Sequence, residues 1–145
     1  MPIIVKSDEE IAIMRQAGRI VAEVLAILRD AVRPGIVELE LDRIVREEFA
    51  RRGCTPTFLG YHGYPATVCV SVNDEIVHGI PGKRVIREGD IVSIDLGATY
   101  RGFVADAAIT VGVGRISPEK EKLIRVTEGA LYAGIRAARA GRRLG

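Results

Sequence analysis

The sequence has 145 residues, 48% of them hydrophobic and 28% charged, which is ordinary for one globular domain with its own core. The formal net charge of +2 gives no reason to expect nucleic acid or a membrane surface as a partner. Charges interrupt every apolar stretch, and the first residues lack the layout of a signal peptide. The two cysteines, Cys54 and Cys69, are too few for a disulfide framework, so we expect reduced thiols in a cytoplasmic protein.

Two amphipathic helices are predicted at the start of the chain. Ser7 and Glu10 have the spacing of a capping box, and apolar residues then recur every three or four positions over residues 11–28. A second helix is predicted from about Glu38 to Arg52, with Gly53 placed to stop it. Both helices have one apolar face, so we expect them to pack on the same core.

A loop rich in proline, glycine and aromatic residues follows, over residues 54–64. Its rings, Phe58, Tyr61 and Tyr64, either shape a pocket or fill the edge of the core, and composition alone favours the second interpretation. Residues 67–72 are then predicted to form a strand.

A hairpin and a third helix complete the predicted elements. Strands are expected at about Ile91–Ala98 and Phe103–Val113, joined by a tight loop at residues 100–102. Ser117 and Pro118 begin a helix that is predicted to reach about Ala140. The order helix, helix, strands, helix predicts an α+β fold, with an antiparallel sheet covered by helices on one face.

Asp95 and Asp106 are the most informative pair in the hairpin. If the strands pair symmetrically about Tyr100 and Arg101, Asp95 directly faces Asp106, and an apolar face lies behind them. Opposed carboxylates repel each other, and a shared proton or a bound divalent cation relieves that repulsion. The alternative is two solvated aspartates on the wet face of a sheet, and the spacing alone favours neither interpretation.

His78 lies in the segment SVNDEIVHGIPG, and a lone histidine among apolar residues is usually structural. Its combination with two other segments changes that interpretation: FLGYHGYPATVCVSVN upstream and EGDIVSIDLGATYRGFVADAAITVGVG downstream. Together these segments resemble the methionine aminopeptidases of the bacterial type. The resemblance covers essentially the whole chain.

The resemblance implies half of a pita-bread fold, the fold of creatinases and aminopeptidases. Residues 1–145 would then form a single domain, equivalent to the N-terminal half of the catalytic domain. In that family, two divalent metal ions per intact site (manganese, iron or cobalt) serve the removal of the N-terminal methionine from nascent proteins. Asp95 and Asp106 match two of its metal ligands, and His78 matches a catalytic histidine that contacts the substrate amide. The residues that match the methionine pocket are Phe58, Tyr61, His62, Tyr64 and Cys69.

The same resemblance implies an incomplete site, because the family uses five protein ligands and this chain matches only the two aspartates. No histidine follows Asp106, and Glu119, Glu121 and Glu128 fall in or near the last predicted helix as solvated charges. We therefore expect a truncated or proteolysed chain, a deliberate half-domain, or a half that pairs with a second copy or with the missing C-terminal half. We expect the chain alone to have little or no activity.

Two other functions remain open. X-Pro peptidases and creatine hydrolases share the implied fold, but they differ around the HGIP and pocket motifs, which here match the methionine enzymes. A non-catalytic half-domain or binding module of the same fold is the alternative from another class.

Overall fold

The computed structural model describes residues 3–143. Helix α1 (Asp8–Ala31) begins after Ser7, whose hydroxyl accepts a hydrogen bond from the Glu10 amide at 3.2 Å. The Glu10 carboxylate in turn accepts from the Ser7 amide at 2.8 Å, which confirms the capping box. Helix α2 (Glu38–Arg51) follows, within one residue of its predicted bounds.

Four strands form one antiparallel sheet: β1 (Thr55–Pro56), β2 (Val68–Val72), β3 (Ile91–Tyr100) and β4 (Phe103–Gly112). Strand β3 lies at the centre and pairs along its whole length with β4. Its other edge pairs with β2 and, beyond it, with β1. A strand at the centre of the sheet has both edges satisfied, and its side chains are therefore held firmly in register.

The core lies between one face of this sheet and helices α1 and α2. Alternate residues of β2 and β3 turn toward the helices and are almost fully buried there. The sheet contributes Val68, Val70, Val72, Val92, Ile94 and Leu96, and the helices contribute Val21, Val24, Leu28, Leu41, Val45 and Phe49. The predicted α+β fold with helices over one face of an antiparallel sheet is confirmed.

The register of the hairpin differs from the predicted one by two residues. Asp95 pairs with Ala108, and Asp106 pairs with Gly97, so the aspartates are diagonal neighbours and not directly opposed. The turn is centred on Arg101 and Gly102, which both have positive φ (49° and 82°), as the two-residue hairpin turn that suits twisted strands requires. A shift of two residues keeps each side chain on its face, so the two-sided pattern is as predicted.

Helix α3 (Pro118–Ala137) is capped by Ser117 and ends three residues before its predicted end. None of its residues is buried, and it packs on the sheet mainly at β4. The Lys120 ammonium group fastens its first turn by donating to the Gly89 carbonyl at 2.6 Å and to Asn73 Oδ1 at 3.0 Å. Within residues 3–143, none of the helices has the length and apolar character needed to cross a membrane.

Candidate metal centre

The side chains expected to carry the chemistry lie on the sheet face opposite α1 and α2. Strand alternation determines this, because residues paired across two antiparallel strands share a face. Cys69 pairs with Asp95, and Asp95 pairs with Ala108. The residues that alternation assigns to this face of β2, β3 and β4 are Cys69, Ser71, Ser93, Asp95, Gly97, Asp106, Ala108 and Thr110.

Asp95 and Asp106 are the acidic residues of this face. Asp95 is half-buried, whereas Asp106 is exposed on the outer strand. Burial and the negative charge of Asp106 together raise the pKa of Asp95 to about 6. The charge of His78 acts in the opposite direction.

The two carboxylates fit a divalent cation as part of its ligand set. Asp95 Oδ1 is buried and has no hydrogen-bond partner among the described residues. A buried carboxylate oxygen normally has a partner, and a hard cation would satisfy both this atom and the repulsion between the two charges. In the part of the chain that the structure describes, no group of three or more histidine, cysteine, aspartate or glutamate side chains could hold a metal ion. The pair is therefore a partial set.

The loop that carries His78 is fastened to β2 immediately after the histidine. Gly79 donates its amide to Ser71 Oγ at 3.1 Å, and its carbonyl accepts from the Val70 amide at 2.9 Å. A Cβ atom at Gly79 would overlap the Val70 carbonyl, so only glycine fits this approach. His78 itself is exposed and has a positive φ of 59°. The loop thus presents the imidazole to solvent, one residue before its anchor on β2.

Three of the five predicted pocket residues gather beside the carboxylates. The Phe58 ring contacts Gly97, where an added Cβ would lie 2.9 Å from Phe58 Cε1, and it meets Tyr64 edge to face at 6.5 Å. The Tyr64 hydroxyl lies 2.9 Å from the Gly79 carbonyl and 3.1 Å from the Val68 carbonyl. Cys69 is buried next to Asp95, and this burial, with the nearby aspartate charges, raises the pKa of its thiol despite a hydrogen bond from Tyr64.

Tyr61 and His62 lie on the turn between Phe58 and Tyr64, and the Tyr61 amide donates to the Phe58 carbonyl at 3.0 Å. They belong to a short 3₁₀ turn, Tyr61–Gly63, and their rings meet edge to face at 4.4 Å. Both are exposed, Tyr61 to 66%. Among the hydrogen bonds and aromatic contacts of residues 3–143, none joins either ring to Asp95 or Asp106.

The sequence also matches a known family. Residues 12–145 match the model of metallopeptidase family M24. The chain belongs to family M24.

Several relatives within M24 are methionine aminopeptidases. The chain is 51% identical over 142 residues to a methionine aminopeptidase of Clostridium perfringens, and 49% identical over 142 residues to methionine aminopeptidase 1 of Bacillus subtilis. Each match covers 98% of this chain and 57% of the relative. The crystal structure of methionine aminopeptidase from Thermotoga maritima matches with a TM-score of 0.97 and 42% identity, over 99% of this chain and 58% of that one. The chain thus spans a little over half the length of these relatives.

The structure adds two contacts beside the carboxylates that the sequence patterns did not reveal in this M24 chain. Thr57 donates its amide to the Gly97 carbonyl at 2.9 Å, and its hydroxyl lies 2.9 Å from that of Thr99. These bonds fix Phe58 over Gly97. Ser71, which holds Gly79, was likewise not singled out. The one sequence signal for the contact between Ser71 and Gly79 was the glycine itself, since a glycine at such a point often marks a close backbone approach.

Proposed function

We propose that this chain supplies the N-terminal half of the catalytic domain of a methionine aminopeptidase, as a single domain over residues 1–145. The reaction is hydrolysis of the first peptide bond of a nascent protein that begins with methionine. The carrying observation is the shared face of Asp95 and Asp106, where one buried carboxylate oxygen has no hydrogen-bond partner among the described residues. The identity to methionine aminopeptidases supports the substrate class.

Asp95 and Asp106 would hold divalent cations, two per complete site, of a metal such as manganese, iron or cobalt that accepts carboxylate and imidazole ligands. When bound, such ions activate a water molecule and polarise the scissile carbonyl group. The role of Asp95 is to offer oxygen ligands from the centre of the sheet, where pairing on both edges fixes its position. Asp106 offers the second carboxylate from β4.

His78 would act on the substrate and not on the metal. Its loop presents the imidazole at the exposed side of the aspartate pair, where it can donate a hydrogen bond to the substrate amide and take part in proton transfer.

The methionine side chain would lie against Phe58, Tyr64 and Cys69. Thioether sulfur packs favourably on aromatic rings, and the Phe58 and Tyr64 rings already meet edge to face beside Gly97. Tyr61 and His62, exposed on the 3₁₀ turn, would contact the residues that follow methionine or close over the pocket when peptide binds. The proposed partner is thus a peptide N-terminus, and we propose no role for nucleic acid or membrane. The proposed location is the cytoplasm, where both buried cysteines stay reduced.

A second function, that of a non-catalytic half-domain, is favoured by one observation. Among the residues described, the potential metal ligands form no group of three. Two carboxylates alone hold a metal ion weakly, because affinity and selectivity depend on ligand number and geometry. Pairing with a C-terminal half would supply the missing ligands, whereas pairing with a second copy through the outer edge of β4 would add two more carboxylates and no ligand histidine.

Peptidase assays on two forms of the protein test the proposal. The first is the 145-residue chain, and the second, which we call the extended chain, carries the C-terminal part of the Bacillus subtilis relative fused after residue 145. We expect the extended chain to cleave a Met-Ala-Ser peptide, to lose that activity with a chelator and to regain it with manganese. We expect little or no cleavage by the 145-residue chain. An extended chain that folds and binds manganese but leaves the peptide intact would contradict the proposed activity.

A further inference from the structure

The loop between β2 and β3 has two arms, and His78 lies between them. The first arm starts at Glu75, whose carboxylate accepts a hydrogen bond from the Val72 amide at the end of β2, at 2.9 Å. The second arm runs over residues 82–86 and pairs with the segment that leads into α2. Between the arms, Ile76, Val77 and Ile80 are exposed to 88%, 63% and 59%. Residues 76–80 thus gain little from burial, and their position depends on the Gly79 anchor and on the two arms.

Glu38 holds the second arm from the first turn of α2. Its Oε2 atom accepts a hydrogen bond from the Gly82 amide at 2.9 Å, and its own amide donates to the Arg84 carbonyl at 3.1 Å. The side chain is only 5% exposed, and its other oxygen, Oε1, is buried without a hydrogen-bond partner among the described residues. The nearest compensating charge is the Arg84 guanidinium, with Nε 3.5 Å from Oε1. A buried carboxylate of this kind needs such a partner.

Arg84 also reaches the first arm. Its Nη2 atom donates to Glu75 Oε1 at 2.6 Å, while Nε faces Glu38. A guanidinium group carries donors on several sides of one plane, so one arginine can bind two carboxylates at once, and a lysine ammonium group cannot span them in the same way. Glu75, Arg84 and Glu38 therefore join both arms of the loop to the start of α2.

We propose that Arg84, through its simultaneous contacts with Glu75 and Glu38, is a positioning residue that closes the loop and holds His78 beside the aspartate pair. The clamp, as we call these three side chains, acts with the Gly79 anchor on β2. His78 needs such support because its positive φ of 59° is a backbone conformation that residues with a Cβ atom seldom adopt. The importance of the clamp for catalysis rests on the role of His78 under the proposed function.

Amide hydrogen exchange on the 145-residue chain tests the clamp without any need for activity. The test variant is Glu75→Gln, which removes the charge from an exposed partner and leaves the Glu38–Arg84 pair in place. An exposed ion pair of this kind is worth enough to change local opening about two- to fivefold. We expect exchange over residues 76–82 to accelerate by that factor, while the amides of α1 and β3 keep their rates. Arg84→Lys should have the same local effect, because a lysine keeps the positive charge near Glu38 but cannot span both carboxylates as the arginine does.

Glu47→Gln is the matched control, because it removes the same charge from an exposed pair, with Arg43, on the outside of α2. Any change it causes should stay within α2, and exchange over residues 76–82 should equal that of the unchanged chain. The proposed clamp is contradicted if Glu75→Gln and Arg84→Lys leave the exchange rates of residues 76–82 within about 1.5-fold of those in the unchanged chain. It is also contradicted if both variants accelerate exchange equally in α1 and β3.

Turnover by the extended chain then separates the clamp from the proposed function. A loosened loop should lower kcat for Met-Ala-Ser with little change in KM, because it misplaces a group that acts mainly in the transition state. Faster loop exchange with an unchanged kcat would overturn the positioning of a catalytic His78. If the unsubstituted extended chain does not cleave the peptide, the proposed function is overturned, whereas the exchange result for residues 76–82 still stands.

Discussion

Asp106 lies directly across the β3–β4 hairpin from Gly97 and is therefore a diagonal neighbour of Asp95. Diagonal partners on one face of an antiparallel sheet are about 7–8 Å apart, close enough for both carboxylates to reach one cation. The residue opposite Asp106 has no side chain, and the Phe58 ring occupies the space above it. One glycine thus brings the aromatic wall of the proposed pocket against the proposed metal ligands.

Replacing His78 with alanine should separate catalysis from metal binding. We expect the extended chain with His78→Ala to bind manganese normally and to cleave Met-Ala-Ser about 100-fold more slowly, the usual loss of a general acid or base. Turnover and bound metal, measured on the same sample, check both parts. Loss of the metal would instead make His78 a ligand.

Two glycine-to-alanine substitutions should change stability in opposite directions. At Gly79 the new Cβ would overlap the Val70 carbonyl, so we expect a loss of about 1–3 kcal/mol in the free energy of unfolding. At Gly18, within α1, nothing lies within 4 Å of the new atom, so alanine should add about 0.5–1 kcal/mol. Urea denaturation measures both. Equal stability for Gly79→Ala and the unchanged chain would refute the close approach of the His78 loop to β2.

Asp42 should make stability depend on pH in the acid range. Burial alone raises the pKa of this carboxyl, but hydrogen bonds from the Thr67 hydroxyl and amide and from Arg46 outweigh it and hold the pKa below its ordinary value. Since the folded state then binds the proton less readily than the unfolded state, this stabilisation is complete above the ordinary pKa. The stabilisation disappears as the pH falls through the lowered pKa of the folded state.

We therefore expect Asp42→Asn to lower the free energy of unfolding by about 1–3 kcal/mol at pH 7. The difference from the unchanged chain should shrink as the pH falls below 4. Urea denaturation at a series of pH values provides the curve. A difference that stays constant down to pH 2 would mean that the charge of Asp42 has no part in stability.

Lys120 should control how firmly α3 is attached. Its two hydrogen bonds to Gly89 and Asn73 fasten a helix without buried side chains. We expect Lys120→Met to accelerate amide exchange in α3 about two- to tenfold, with no change in the sheet. Lys122→Met, an exposed lysine of the same helix, is the control and should have no effect. Equal behaviour of the two variants would exclude the attachment.

Much of this arrangement follows from the sequence because local signals agreed with the packing. The capping box at Ser7, the helical spacing of α2 and the alternation around Asp95 each determine an element or a face without reference to distant residues. The hairpin register was wrong by two residues, because the sequence does not reveal which two residues adopt the positive φ values of the turn. Arg101 has no sequence feature that marks it for that conformation.

The contacts that position the site were harder to predict, because they join residues far apart in sequence. Thr57 meets Gly97 across 40 positions and Thr99 across 42, and Glu38 meets Gly82 across 44. Such contacts depend on how β1 and α2 pack on the sheet, and no periodicity encodes them. The family resemblance supplied the residues that we propose to act, whereas only the structure reveals the contacts that hold them.

Binding of manganese to the aspartate pair tests the central claim most directly. Mn²⁺ is paramagnetic, so even weak binding broadens the NMR signals of nearby amides. With substoichiometric Mn²⁺, we expect the 145-residue chain to lose the amide signals of Cys69, of residues 93–97 and of residues 106–108, together with the His78 ring signals. Asp95→Asn and Asp106→Asn should each restore them. Broadening centred on the acidic surface of α2, or broadening that persists in both variants, would contradict the account.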